Sequence, residues 1–483
     1  MFNGSDNVKI GGGYASSSMH PAVLVLMLIT IVLVFALPRR YVIVPILLAV
    51  FLTPFGQQIY VGGAHLFLPI ILILCGWLRA AWKGESLRSA LGGFNGVDKV
   101  FLWWAIFRAT ATFLEFMQWQ AAITESGFLI ASIGCFFLLR MLIREEQDVV
   151  RVFKALALVV SVLAVTMTIE RIHNQNLFGF IGGHMLPQIR DGEIRAQGSF
   201  QGPIPAGTFG ATSLCLFLWL WRSGKSAAAG VAGIVGSSVM VVTSASSTPL
   251  MAVAAAVLAV LMWPMRKKMR MVRWGIVVVL IALHLVMKAP VWMLINHVNL
   301  VGGNSSYHRA MLVDQFVRHF GEWWLIGVQS TAQWGWDMWD QANQFVWEGE
   351  SGGLATFVCF VLLVSRSFGM LGTARKYARG KRSKQWLLWL LGCTLFSYTV
   401  AFFGISLSDQ LVWGWYLLLA MICAAAASDR KRKPQISPPQ AQPSELEGVF
   451  TNNPDFQNQT TILFDAIKEE GSLVPGTAFG LSH

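Results

Sequence analysis

Three polar segments, far apart in the chain, carry the residue types needed to hold an anionic leaving group and activate a hydroxyl. The first is Arg190-Asp-Gly-Glu-Ile-Arg195-Ala-Gln-Gly-Ser-Phe-Gln-Gly-Pro-Ile-Pro205. Gly198, Gly202, Pro203 and Pro205 predict a tight, rigid entry into a helix that begins near Ile204. Arg195 then stands near a helix N-terminus, where the dipole disfavours a cation unless an anion joins it. Helix amides and an arginine fork together make a phosphate site. The other reading of Arg195, and of Arg190, is an interfacial arginine snorkelling to lipid headgroups.

The second segment is Tyr307-His308-Arg309, followed by Asp314, Arg318 and His319. Helical spacing puts Arg309, Asp314 and Arg318 within about two turns, with Asp314 off the common face. Arg309 offers a second fork for a phosphate and Arg318 a further cation. His308 and His319 have the chemistry of an acid or base near neutral pH. The alternative is a surface amphipathic helix with ordinary charges. The third segment is Asp340-Gln-Ala-Asn343-Gln344-Phe-Val-Trp-Glu348-Gly-Glu350-Ser-Gly-Gly353. Asn343 and Gln344 suit sugar hydroxyls, and Glu348 or Glu350 suits a general base. Polar capping of a helix beginning near Gly353 is the other explanation. Thr243-Ser-Ala-Ser-Ser-Thr248 is a small polar turn that either bonds a headgroup or glycan or only packs two helices closely. The tryptophans between Trp323 and Trp339 read as sugar-stacking platforms or as an interfacial belt.

These segments must be positioned by apolar helices. Of the 483 residues 55% are hydrophobic and 13% charged, against roughly 25% charged in soluble domains. Candidate spans fall at 21–37, 41–54, 62–82, 98–118, 125–143, 150–170, 204–222, 228–244, 247–263, 273–289, 353–372, 385–404 and 408–427. This predicts an all-α polytopic membrane protein with about twelve to thirteen transmembrane helices. The net charge of +12 could suggest nucleic acid, but the Lys and Arg residues cluster in alternate short loops, as membrane topology requires. The positive-inside rule makes those loops cytoplasmic. The long loops 171–203 and 290–352 then lie outside, and so does the N-terminus. The membrane domain is expected to span 1–427, with 428–483 a Pro/Gln/Ser-rich cytoplasmic tail, largely disordered. The N-terminus has no basic region before its first apolar run, which speaks against a cleaved signal peptide. The six cysteines show no metal spacing and read as buried thiols. No dinucleotide or P-loop glycine pattern occurs, which disfavours an ATP-driven pump.

Taken together, the motifs resemble the O-antigen ligase and polymerase superfamily of bacterial envelope enzymes, over about 194–363 and in the general membrane layout. Arg195-Ala-Gln-Gly-Ser-Phe is similar to that family's Arg-x-x-Gly-(Ser/Thr)-Phe element before a span. Thr243-Ser-Ala-Ser-Ser-Thr248 is similar to its Ser-rich turn. Tyr307-His-Arg309 with Trp324-Leu-Ile-Gly327 resembles its Arg-containing helix ending in Leu-x-Gly. Asp340-Gln-Ala-Asn343-Gln-Phe resembles its closing His-Asn element, with Ala342 where the family has His.

The resemblance implies a metal-independent, inverting glycosyltransferase of the bacterial inner membrane, without cofactor, working on the periplasmic face. Its donor would be a polyprenyl-pyrophosphate-linked glycan and its acceptor a glycan or lipid, among membrane lipids and without nucleic acid. Arg195, Arg309 and Arg318 would bind the pyrophosphate, and Asn343 and Gln344 the sugars. With Ala at 342, the base role moves to Glu348, Asp340 or His308. The competing classes are a transporter or lipid-linked glycan flippase, which needs ionisable residues deep within spans, and a non-catalytic assembly protein.

Overall fold

The computed structural model describes residues 18–61, 64–190, 192–297, 305–340 and 342–430. The tail expected over 428–483 therefore lies, from 431 onward, outside the described residues. Each of the thirteen expected spans falls on a helix. In order these are α1 (Pro21–Ala36), α2 (Arg39–Leu52), α3 (Leu68–Trp82), α4 (Gly96–Phe116), α5 (Trp119–Leu142), α6 (Glu146–His173), α7 (Pro203–Arg222), α8 (Ala227–Thr243), α9 (Ser247–Leu261) and α10 (Met269–Val286). Then α11 (Ser305–Arg318) precedes α12 (Gln344–Tyr377), α13 (Arg382–Ala401) and α14 (Asp409–Arg430). The fold is thus all-α in character. Six of these helices are long and apolar enough to cross a membrane, and four more are shorter apolar helices. No residue of α10 is buried, so it stands at the periphery.

Three local departures have physical causes. The expected span 62–82 begins only at Leu68, because Gln58–Val61 (β1) and Ala64–Phe67 (β2) pair as an antiparallel hairpin. Ile59, Val61, Leu66 and Phe67 are apolar enough to merge with the following helix in any hydropathy window. Within α5 the stretch Ile130–Gly134 widens into a π-turn, and the Gly134 carbonyl accepts from the Trp77 indole at 2.9 Å. The last departure is at α12, which starts nine residues before the expected Gly353. Gly353 interrupts it at φ +70, and a Cβ there would lie 2.5 Å from the Leu325 carbonyl oxygen. The break admits the Trp324–Val328 segment: Leu354 N donates to Trp324 O and Val328 N to Glu350 O, each at 2.8 Å.

Polar contacts sort the loops into two ends. At one, Arg39 pairs with Asp148 (3.1 Å), Arg79 with Glu85 (3.1 Å), and Lys225 and Lys384 with Glu146 (3.4 and 3.1 Å). At the other, Gln57 reaches Gly182, Gln329 reaches Glu115, and Gln410 reaches Thr53 and Ser199. The pairing follows the alternation of basic loops. Single cysteines at the exposed positions His184 and Gln333, in a background lacking the native thiols, should label with an impermeant reagent in intact cells. Labelling of both only after lysis would reverse the orientation.

Candidate functional site

Arg195 closes a short hairpin of β3 (Gln188–Arg190) and β4 (Glu193–Arg195), opposite Gln188. The segment after it is tied down on every side. Ala196 N donates to Thr243 O at 3.0 Å. Gln197 N and Gly198 N donate to the buried Glu170 carboxylate at the end of α6, at 3.2 and 2.8 Å. Asn176 Nδ2 donates to Gly198 O (2.8 Å), Ser199 Oγ to Phe51 O (2.6 Å) and Gln410 Nε2 to Ser199 O (3.1 Å). Gly198 takes the left-handed φ of +60 that this turn requires. Pro203 then opens α7, at a position where its missing N–H costs nothing.

The Ser-rich turn lies against α7 because Gly207 has no side chain. A Cβ there would sit 2.3 Å from Ser244 Oγ. From this turn Ser246 Oγ accepts Arg195 Nη2 at 2.6 Å, while Ser247 Oγ and Thr248 Oγ1 accept Arg309 Nη1 and Nη2 at 3.3 and 2.9 Å. Three consecutive residues thus hold the two motif arginines. Arg309 is 4% exposed, and its Nε has no partner among the described residues. No carboxylate lies within ion-pair distance of it among the described residues. Burial, and then the nearby Arg190 charge, push its guanidinium below the usual arginine range, while Asp340 pulls the other way. A buried cation without a counter-ion costs several kcal/mol, on the order of the desolvation penalty of one ion.

Beside Arg309, on the same helix, a cleft of about 480 Å³ is lined by Arg190, Tyr307, His308, Trp334, Trp336 and Asp340 among others. His308 Nε2 lies 3.1 Å from the Asp340 carbonyl oxygen. If it donates there, Nδ1 keeps its lone pair. The ligand atoms of His308, Asp337 and Asp340 lie within 4.8 Å of one another, close enough to share a divalent cation. Asp337 adopts φ +61, uncommon outside glycine.

The other expected residues are elsewhere. Arg318, its side chain 68% exposed, pairs with Asp314 one turn back at 2.6 Å. Asn343 caps α12, its Oδ1 accepting from Phe345 N and Val346 N. Glu348 does not line the cleft. It is fully buried in the bundle, where Trp104 Nε1 of α4 donates to it at 2.7 Å and Gln344 Nε2 at 2.5 Å. Gln344 Oε1 in turn accepts from Leu407 N. So Asn343, Gln344 and Glu348 have structural partners, because the 344–352 stretch already belongs to a bundle helix. Sequence reasoning missed Glu170 and Gln410 as braces of the Arg195 segment, and Asp337, hidden in a tryptophan-rich run. None of the three belongs to a local motif.

No protein-family model matches the chain, and no curated protein matches it.

Glu348→Ala should leave the Trp104 and Gln344 donors unsatisfied in an apolar interior, at a cost of about 1–3 kcal/mol. Purified Glu348→Ala is expected to melt at lower temperature than wild type, whereas Asp340→Ala, on the exposed rim, should melt as wild type does. Equal melting of all three would show that Glu348 has no structural role.

Proposed function

We propose that this protein is a membrane glycosyltransferase of the O-antigen ligase and polymerase type, moving a glycan from a polyprenyl pyrophosphate to a glycan or lipid acceptor at the external face of the bacterial inner membrane. The observation that carries this reading is Arg309, buried and, among the described residues, held by neutral hydroxyls without a carboxylate, on the turn that also holds Arg195. Such a pair suits a ligand with two adjacent phosphates.

In the proposed reaction the acceptor hydroxyl gives its proton to Asp340 or His308. Its oxygen attacks the anomeric carbon from the face opposite the carrier, so that carbon inverts. The bond from that carbon to the pyrophosphate oxygen breaks, and its electron pair leaves with the pyrophosphate. Arginines fixed beforehand in a low-dielectric site stabilise that developing charge. The exposed rings of Tyr307 and Trp336 offer aromatic faces to sugar rings along the cleft. The base is assigned to the cleft rather than to Glu348, whose oxygens are engaged by Trp104 and Gln344. Local engagement of the interior carboxylates Glu348 and Glu170 also supports an enzyme over a transporter, which would use such groups along a path.

The test is reconstitution of the full chain in liposomes with a polyprenyl-pyrophosphate-linked glycan and acceptor. Arg195→Lys and Arg309→Lys keep the charge but lose the fork, so each should abolish transfer while expression is unchanged. Wild-type product from both Lys variants would refute the reading. Asp340→Asn or His308→Ala should slow turnover on the order of 10²–10⁴-fold, the usual worth of a general base. Transfer should also survive a chelator. Loss in EDTA, restored by Mg²⁺, would reassign His308, Asp337 and Asp340 to a metal.

A further inference from the structure

We propose that another cavity, between the end of α2 and the start of α14, binds an uncharged lipid alcohol by its hydroxyl. The proposal is independent of the glycosyl-transfer reading. The cavity measures about 230 Å³ and is lined by Thr53, Phe55, Phe67, Leu68, Gln410 and Trp413 among others. Three irregular backbones meet there. α2 ends at Leu52, and Thr53 continues in an extended conformation. The β1–β2 hairpin delays the start of α3 to Leu68. The π-turn within α5 puts Ala131 in the wall, and such widened turns are frequent at functional sites. Phe55 and Phe67 stack with ring centroids 6.1 Å apart and form an aromatic side, and the exposed Phe55 marks the mouth.

Two lining residues, Gln410 (5% exposed) and Thr53 (4% exposed), each carry an unmet polar atom. Gln410 Nε2 gives its two protons to Thr53 O and Ser199 O, each at 3.1 Å. Those bonds fix the amide and leave Oε1 as a buried acceptor with no partner among the described residues. Thr53 Oγ1 is in the same condition. A buried polar atom left unmet is costly, so a ligand that meets both is favoured. An alcohol is the complement: it gives its proton to Gln410 Oε1 and receives that of Thr53 on a lone pair. A phosphate, carboxylate or ammonium head would bring a charge that no lining side chain balances, because none of them is charged. The rest of the wall is largely apolar and accepts hydrocarbon. Isoprenoid alcohols and acylglycerols share the required chemistry, an uncharged hydroxyl on a hydrocarbon chain. An occupant would also bear on the Arg195 segment, because Ser199 O, four residues beyond Arg195, accepts from both Gln410 Nε2 and Phe55 N.

The experiment photolabels the full chain in nanodiscs of phosphatidylcholine with a hexadecanol that carries a diazirine on its chain, and maps the label by mass spectrometry. Label should concentrate on 50–57, 67–70 and 410–413. It should exceed the label on α10, which has no buried residue and reports general contact with lipid. The methyl ether of the same probe has no proton to give, and should label the cavity several-fold less, on the order of tenfold for one buried hydrogen bond. This comparison needs no variant. Thr53→Val removes an unmet hydroxyl and keeps the shape, so it should melt no lower than wild type and yet lose cavity labelling to a similar extent. Excess farnesol or excess monooleoylglycerol should compete. Competition by the first points to an isoprenoid source and by the second to an acylglycerol, and either supports the site. Equal labelling by the alcohol and its ether, label on α10 as strong as in the cavity, wild-type labelling of Thr53→Val, or competition by neither lipid would overturn the proposal.

Discussion

A guanidinium buried at the end of a helical bundle is the constraint around which the rest of this site is arranged. Arg309 is almost wholly removed from solvent and, among the described residues, its guanidinium donates to hydroxyl oxygens alone. Desolvation alone disfavours that state by several kcal/mol, roughly the net stability of a small domain. The fold must therefore supply packing enough to hold it there. The supply is visible in the close helix approaches around the Ser-rich turn. Gly207 and Gly210 of α7 admit the turn and the backbone at Ser237 of α8. Small residues at such crossings let backbones pack where lipid gives helices no hydrophobic reason to associate.

The same logic explains the dense bonding of the Arg195 segment. Irregular backbone at the membrane boundary is tolerated only when its amides and carbonyls find partners. Glu170, Asn176, Gln410 and Ser199 provide them from α6, the following loop, α14 and the segment itself. A carboxylate and two amides near helix ends would each invite a functional reading alone. Here their bonds go to backbone, and their effect on the site is indirect. They fix where β4 ends and thus where Arg195 begins.

Much of the fold was legible in the sequence because lipid demands continuous apolar helix, and that demand leaves an unmistakable trace. The thirteen expected spans all fall on helices for this reason. What was hidden has local causes. The β1–β2 hairpin carries apolar residues that blur into α3. The start of α12 was masked by the polar groups within Asn343–Glu350, which read as loop until one knows that Trp104 Nε1 and Leu407 N donate to Glu348 and Gln344 inside the bundle. Arg195 and Arg309 stood out as motif residues, but 113 positions separate them in the numbering. Their meeting on one turn is a tertiary fact that no local pattern contains. The turn's serines were visible as a cluster. Which arginine each one holds was not.

Ala342 shows how a motif and a geometry can part company. The resemblance places an imidazole at that position, and the chain has none there. Yet His308, on α11, brings its Nε2 to 3.1 Å from the carbonyl of Asp340, two residues before Ala342. An imidazole therefore reaches the same neighbourhood from a different element. It shares α11 with Arg309, so an imidazole and a buried guanidinium stand on adjacent residues of one helix. Adjacent helix positions point about 100° apart, which lets Arg309 turn inward to the Ser-rich turn while His308 faces the cleft. Residue types that the resembled pattern divides between two segments are, in this chain, brought together by the first turn and a half of α11 and the backbone of Asp340.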